Sequence, residues 1–269
     1  MSGAAPALRI FSYLPNPRLA KATIAARLCG VSLEIRGARP PELAGWLWDF
    51  DARPLADGER ASQDTARAAR TGFGGTLHKT DAFLETHPFG NVPAAFSPDG
   101  KIGIFESNAI ARAVARVAPR DVGLYGRDAY QASRIDGFLD ASLVFAREVQ
   151  VYLLELGARR AGPATHERAR EARDAYLGGI DQALAPERRF LVGDELTLAD
   201  IVFATELALF SAERAHREKR EQAALAALYD ASLGAIFPRA WAHFERLCAH
   251  EAFAPELGPY LEKLGGRSE

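Results

Sequence analysis

Cysteine is scarce in this chain, and so is any apolar run long enough to matter to a membrane. Only Cys29 and Cys248 occur, far apart and each in helix-like sequence. Disulfide frameworks stabilise small secreted domains, so this usage argues against that class and suits a reducing compartment. No apolar stretch approaches the ~20 residues that span a bilayer. The first residues, Met1 to Pro6, lack the basic-then-apolar order of a secretory signal, so a cytoplasmic location is expected. Neither sign of charge dominates: the formal net charge is −2, which gives no electrostatic case for nucleic acid or a lipid surface. The histidines show no metal-ligand spacing, so no metal is expected, and His243 and His250 read as surface or helix-packing residues. No Ser-His-Asp arrangement is legible. Gly72-Phe73-Gly74-Gly75 lacks the Lys-Ser/Thr and following helix of a phosphate loop.

What is present is enough chain for two compact domains, 269 residues with a 48% hydrophobic fraction. Leu8 to Tyr13 reads as a strand, broken by Leu14-Pro15-Asn16-Pro17. Arg18 to Cys29 has a helical pattern that Gly30 caps, and Val31 to Ile35 reads as a second strand. Strand, helix, strand at this spacing is a parallel crossover. From Gly37 to Lys79 the pattern fails. Arg39-Pro40-Pro41 is extended, Leu43 to Phe50 carries exposed-looking aromatics, and Asp57 to Arg70 is polar and alanine-rich. A connection this long is usually functional or mobile. Trp46, Trp48, Phe50 and Phe73 either line a cleft or pack, and packing is expected for at least some.

The stretch from Glu85 to Val114 organises the rest. Pro88 and Gly90 punctuate a loop, Ala94 to Phe96 is a short strand, Ser97-Pro98-Asp99-Gly100 a hairpin turn, and Lys101 to Phe105 the returning strand. Ser107 then precedes helical spacing at Ala109, Ile110, Ala113 and Val114. If the Val92–Pro93 bond is cis, the Val92 N–H and carbonyl turn outward, free for a ligand. Glu106-Ser107 sits at a helix N-terminus, where backbone donors and the dipole favour an anion. A carboxylate carrying its own ammonium group suits that position, Ser107 and the helix end holding the first and Glu106 the second. Pro93 as an ordinary strand opening and Ser107 as a plain N-cap is the competing account, and these residues alone favour it.

Asn91-Val92-Pro93 followed by Phe105-Glu106-Ser107-Asn108-Ala109-Ile110-Ala111 closely resembles the glutathione transferase signature. Within that superfamily the chain is most similar to the transferase-like domain of the gamma subunit of elongation factor one. The resemblance extends over Phe11-Ser12-Tyr13, Arg18 and Lys21 to Ala26, and over Arg189 to Ile201, so it covers most of the chain apart from two insertions. It implies an α/β plus all-α fold: a thioredoxin-like domain over 1–118 with an insertion near 38–79, then an all-helical bundle domain over 127–269. Pro119 to Gly126 reads as the linker. Beyond it, Tyr130 to Leu153 traces a long helix, Thr165 to Leu184 another, and Pro238 to Ala249 a further one. Thr197-Leu198-Ala199-Asp200 is a capping-box start with Leu196 and Ile201 as a hydrophobic staple, which makes Asp200 structural. Ala212 to Ala227 alternates its charges and reads as a solvated face. The tail after Gly258 either packs back or hangs free.

The resemblance implies glutathione as cosubstrate, with Val92 ahead of Pro93 pairing the cysteinyl part. Glu106 and Ser107 would take the gamma-glutamyl end, and Asn91 the region near the glycine end. His87, replacing an asparagine common before Pro88, is expected to change loop hydrogen bonding only. Catalysis needs the thiolate, hence a donor, cation or helix tip that lowers a thiol pKa. Asn16 and Tyr13 rank nearly equal for that role, then Ser12, with Arg18 as electrostatic support. No cysteine lies in this loop, which argues against mixed-disulfide chemistry. The expected activity is glutathione transfer to a hydrophobic, aromatic electrophile, by ether cleavage or dehalogenation, in detoxification or aromatic catabolism. The alternative is a non-catalytic transferase-fold module for dimerisation or docking. Either implies a homodimer or a heterodimer with a related chain.

Overall fold

The structure, a computed structural model, describes residues 5–69 and 72–265; Arg70 in the expected insertion, and the outer ends of both expected domains, lie outside them. The chain divides into two compact units, Met1–Asp121 and Val122–Glu269. The first unit opens with β1 (Leu8–Tyr13), α1 (Pro17–Cys29) and β2 (Leu33–Ala38). The segment after β2 then supplies β3 (Trp46–Trp48), β4 (Arg53–Pro54), β5 (Ala66–Ala68) and β6 (Thr76–Lys79). After α2 (Asp81–Thr86) the hairpin of β7 (Ala94–Phe96) and β8 (Gly103–Phe105) leads into α3 (Ser107–Arg116).

The main sheet runs β2-β1-β7-β8, with β1 parallel to β2 and antiparallel to β7, and β7 antiparallel to β8. Helices α1 and α3 pack together. The crossover is thus the expected one, with β2 displaced towards Gly37. That glycine has φ 154°, and a Cβ there would lie 1.8 Å from the Ser12 carbonyl oxygen, so only hydrogen fits.

The segment after it differs from the expectation. It is not a patternless connection: it folds into a second four-stranded sheet, β4-β3-β6-β5. Strands of two to four residues leave no period to read, which is why the pattern fails there. Its exposed-looking aromatics pack, as expected for at least some of them. Trp48 is 1% accessible, meets Phe11 at 5.3 Å and Phe83 at 6.0 Å, both edge-on, and donates Nε1–H to the Leu43 carbonyl. Trp46 stacks on Phe11, Phe50 meets Phe96, and Phe73 meets Trp48. Together with Leu77 and Ala94 they form one core shared by the two sheets. Polar contacts reinforce the joint: Arg9 on β1 binds Glu34 of β2 at 2.8 Å and also pairs with Asp51.

The second unit is helical, with α4 (Ala129–Gly157), α5 (Pro163–Ala183), α6 (Leu198–Phe210), α7 (Arg217–Gln222), α8 (Ser232–Ile236), α9 (Pro238–Ala249) and α10 (Ala254–Lys263). Helix α6 is buried along its whole length, as a central element with no polar face must be. The expected capping box is present: Asp200 accepts from the Thr197 N–H at 2.9 Å and its hydroxyl at 3.1 Å. Asp200 also accepts from Leu191 N–H, and from His243 Nε2 at 2.8 Å. His243 is therefore not a surface residue; it is fully buried, and Arg246 donates to its Nδ1. The charged stretch after residue 212 is not wholly solvated either. Glu213 is buried and accepts from the Tyr152 hydroxyl and the backbone N–H groups of Leu228 and Tyr229. The tail packs back, with Leu257 and Leu261 of α10 buried.

Candidate functional site

Strand register decides what meets at one end of the main sheet. Phe11 of β1 pairs with Ala94 of β7, and Ala94 pairs with Phe105 of β8. The C-terminal end of β1, the N-terminal end of β7 and the C-terminal end of β8 therefore lie side by side. Ser12 and Tyr13, Val92 and Pro93, and Glu106 and Ser107 are brought together by this topology.

In the loop after β1, Asn16 does two things. Its Oδ1 accepts the Arg18 N–H at 2.9 Å and caps α1, while its Nδ2 donates to Ser12 Oγ at 3.0 Å. Both side chains are buried. The bond leaves Ser12 its hydroxyl hydrogen and Asn16 a second amide hydrogen to offer elsewhere. Tyr13, alternating with Ser12 along the strand, lies on the other face and packs with Phe11 and Trp46 against the aromatic core. The structure thus joins Asn16 to Ser12, while Tyr13 packs against the aromatic core. Arg18 is half-buried in the first turn of α1.

At β7 the Val92–Pro93 peptide is cis. The ladder with β1 begins only at Ala94, so Val92 lies beyond its end. Asn91, just before it, is exposed. At the start of α3, Glu106 holds φ 69° and ψ 121°, a left-handed backbone costly for a side-chain-bearing residue. Its carboxylate accepts the Ser107 N–H at 2.9 Å. Ser107 and Asn108 are buried behind it.

Two lysines join this set that the sequence reading passed over as site residues. Lys21, fully buried on α1, donates to Ser107 Oγ at 3.0 Å and to Asn108 Oδ1 at 2.8 Å. Lys79, at the end of β6, donates to the Gly90 carbonyl at 2.6 Å with its ammonium 4.6 Å from the Trp48 ring centre. Their signal was present: in a chain where arginine greatly outnumbers lysine, Lys21 sits among Leu19, Ala20, Ala22 and Ile24, all buried. His87 is also buried. Its Nε2 donates to the Ala95 carbonyl at 3.0 Å, its ring stacks on Phe83, and burial holds its pKa below the usual imidazole range. Among the described residues, no group of three or more histidine, cysteine, aspartate or glutamate side chains gathers as a metal centre would.

Comparison with known proteins follows the same lines. Residues 144–251 match the family model for the glutathione S-transferase C-terminal domain. A glutathione S-transferase-like protein of Fusarium, LUC7, is 30% identical over 207 residues, covering 76% of this chain and 77% of its own. Elongation factor 1-gamma of Artemia salina is 32% identical over 199 residues, 74% of this chain but only 37% of the factor. Among solved structures, a glutathione S-transferase of Methylobacillus flagellatus with glutathione bound superposes with a TM-score of 0.61 at 15% identity, covering 93% of this chain and 98% of its own. That likeness concerns the fold.

Proposed function

The chain belongs to the glutathione S-transferase superfamily and is related to elongation factor 1-gamma, and on that premise we propose that it binds glutathione at the convergent end of its main sheet and transfers it to a hydrophobic electrophile. One observation carries the reading: register and helix placement bring Val92, Ser107 and the Ser12–Asn16 pair to a single edge. In this reading Val92 pairs its backbone with the cysteinyl residue. The tip of α3 with Ser107, backed by the Lys21 ammonium, takes the gamma-glutamyl carboxylate. Glu106 takes the ammonium group, and Asn91 meets the glycine end, with Lys79 close behind at Gly90. Asn16 and Ser12 supply hydrogen bonds to the thiolate, with Arg18 as electrostatic support. Tyr13 is the weaker candidate because its ring belongs to the core. The inserted aromatics pack on one another, so they give no support to an aromatic substrate in particular.

A second reading keeps the fold without the chemistry, as a module that docks or pairs with a related chain, and the similarity to elongation factor 1-gamma supports it. Both cysteines are buried and neither forms a disulfide, which suits a reducing cytoplasm in either case. Isothermal titration with glutathione separates the readings. Saturable binding, abolished in E106A/S107A, together with a thiolate absorbance on binding that falls in N16A or S12A, supports the enzyme. A protein that ignores millimolar glutathione yet copurifies with another polypeptide is the module instead.

A further inference from the structure

The helical unit carries two grooves that meet at Arg188. One, of about 830 Å³, is lined by Arg134, Phe138, Gln182 and Arg188 among others, with no carboxylate. The other, of about 500 Å³, lies between the end of α5 and α9 and is lined by Leu184, Glu187, Arg188, Arg189, Arg239 and Arg246. Four guanidiniums thus face one carboxylate in a chain whose net charge is −2.

Elsewhere on this unit arginines sit beside acids. Arg170 lies between Glu167 and Asp174, Arg127 meets Glu195, and Arg217 meets Glu221. Those are solvated pairs of the ordinary kind. In the second groove only Arg239 has such a partner, Asp181 at 3.0 Å. Arg246 is held by neutral acceptors, the Arg189 carbonyl at 2.8 Å and His243 Nδ1 at 2.7 Å, so its position is fixed while its charge is uncancelled. Arg189 lies over the Phe190 ring. Among the described residues, no carboxylate forms an ion pair with Arg188, Arg189 or Arg246.

A cavity of this size suits a small molecule, and planar guanidinium forks match phosphate oxygens two at a time. We infer that this groove binds a compact anion of more than one charge, a pyrophosphate group either free or esterified, with Arg188 and Arg189 closing on a position that Arg239 and Arg246 hold ready. The preordering comes from the core, since His243 is itself anchored on Asp200.

The test is calorimetric titration of the full chain, at constant ionic strength, with inorganic pyrophosphate and separately with ADP, adenosine serving as blank. Saturable binding of pyrophosphate is expected, weakened at least about tenfold in R188Q/R189Q, as the loss of charge-assisted hydrogen bonds implies. In R170Q, whose guanidinium is already neutralised, affinity should be unchanged. Tighter binding of ADP assigns an esterified phosphate, and equal binding assigns the phosphate group alone. Both altered side chains are exposed, so an unchanged melting temperature without pyrophosphate certifies the fold of the double variant, and the single variant R188E provides a second reading. Absence of saturation with both anions, or an affinity unmoved in R188Q/R189Q and R188E, overturns the assignment.

Discussion

The Lys21 ammonium donates to the Ser107 hydroxyl at 3.0 Å, joining the helix that follows the first strand to the tip of the helix that follows the last. An ammonium without bulk water around it is costly unless hydrogen-bonded, so the link supports the packing of α1 on α3 and the polarity of the tip at once.

Replacing Lys21 by methionine keeps most of its volume and removes the donor. Its hydrogen bonds to Ser107 and Asn108 are lost, at a cost of about 1–3 kcal/mol in stability. Glutathione affinity should fall roughly tenfold if the ammonium helps hold a carboxylate. Urea unfolding and calorimetry of K21M measure the two effects separately; unchanged affinity in a folded K21M would remove Lys21 from the binding set.

Trp48 joins the two sheets of the first unit through Phe11 and Phe83. Its replacement by alanine should destabilise this unit by about 3–5 kcal/mol, the range for a buried aromatic deleted from a core. Proteolysis of W48A should begin within residues 38–79. A cost below about 1 kcal/mol would mean that the second sheet is an ornament, since surface changes are of that size.

His87 gives the first unit a pH dependence of known sign. Burial depresses its pKa in the folded state, with the bond to the Ala95 carbonyl opposing the shift only in part. Between the folded pKa and the unfolded value near 6.5 the unfolded chain binds more protons, so stability falls as pH drops through that window. Melting temperatures from pH 8 to 5 should decline for the parent protein and decline less for H87F. Identical slopes would exclude His87 as the origin.

Asp200 receives four hydrogen bonds inside the helical unit, from Leu191, from both donors of Thr197 and from His243. Asp200→Ala orphans buried donors and uncaps α6 together, so a cost of about 3–5 kcal/mol is expected, as for a broken buried polar pair. Under mild conditions where D200A still folds, its glutathione affinity should match that of the parent protein. A selective loss of binding without loss of stability would instead make Asp200 functional.

Much of the fold was legible because its signals are local and long. Helix α1 is bounded by Asn16-Pro17 and Gly30, and the hairpin turn by Pro98-Asp99-Gly100. Val92–Pro93 and Glu106-Ser107 were readable as a pair only through the family likeness, since strand register, which places them side by side, is a tertiary fact. The second sheet was opaque because its strands are too short to show alternation, and Trp48 looked exposed for want of any sign that Phe11 lay opposite. Lys21 and Lys79 escaped because a lone lysine ordinarily stays in water, and nothing in their neighbours names the acceptors that hold them inside. His243 was readable only as surface or helix-packing, because its partner, Asp200, is distant in the chain.

Gly37 fixes where this architecture can grow. With a methyl group placed 1.8 Å from the carbonyl oxygen of Ser12, a library randomised at that codon should return glycine alone among folded clones. Grafts that lengthen the chain before that residue would pull β2 off β1 and spoil the loop beside it, whereas grafts after it leave the crossover untouched. The second sheet obeys this rule, starting just downstream, and the same junction is the natural splice point for exchanging it with a different segment.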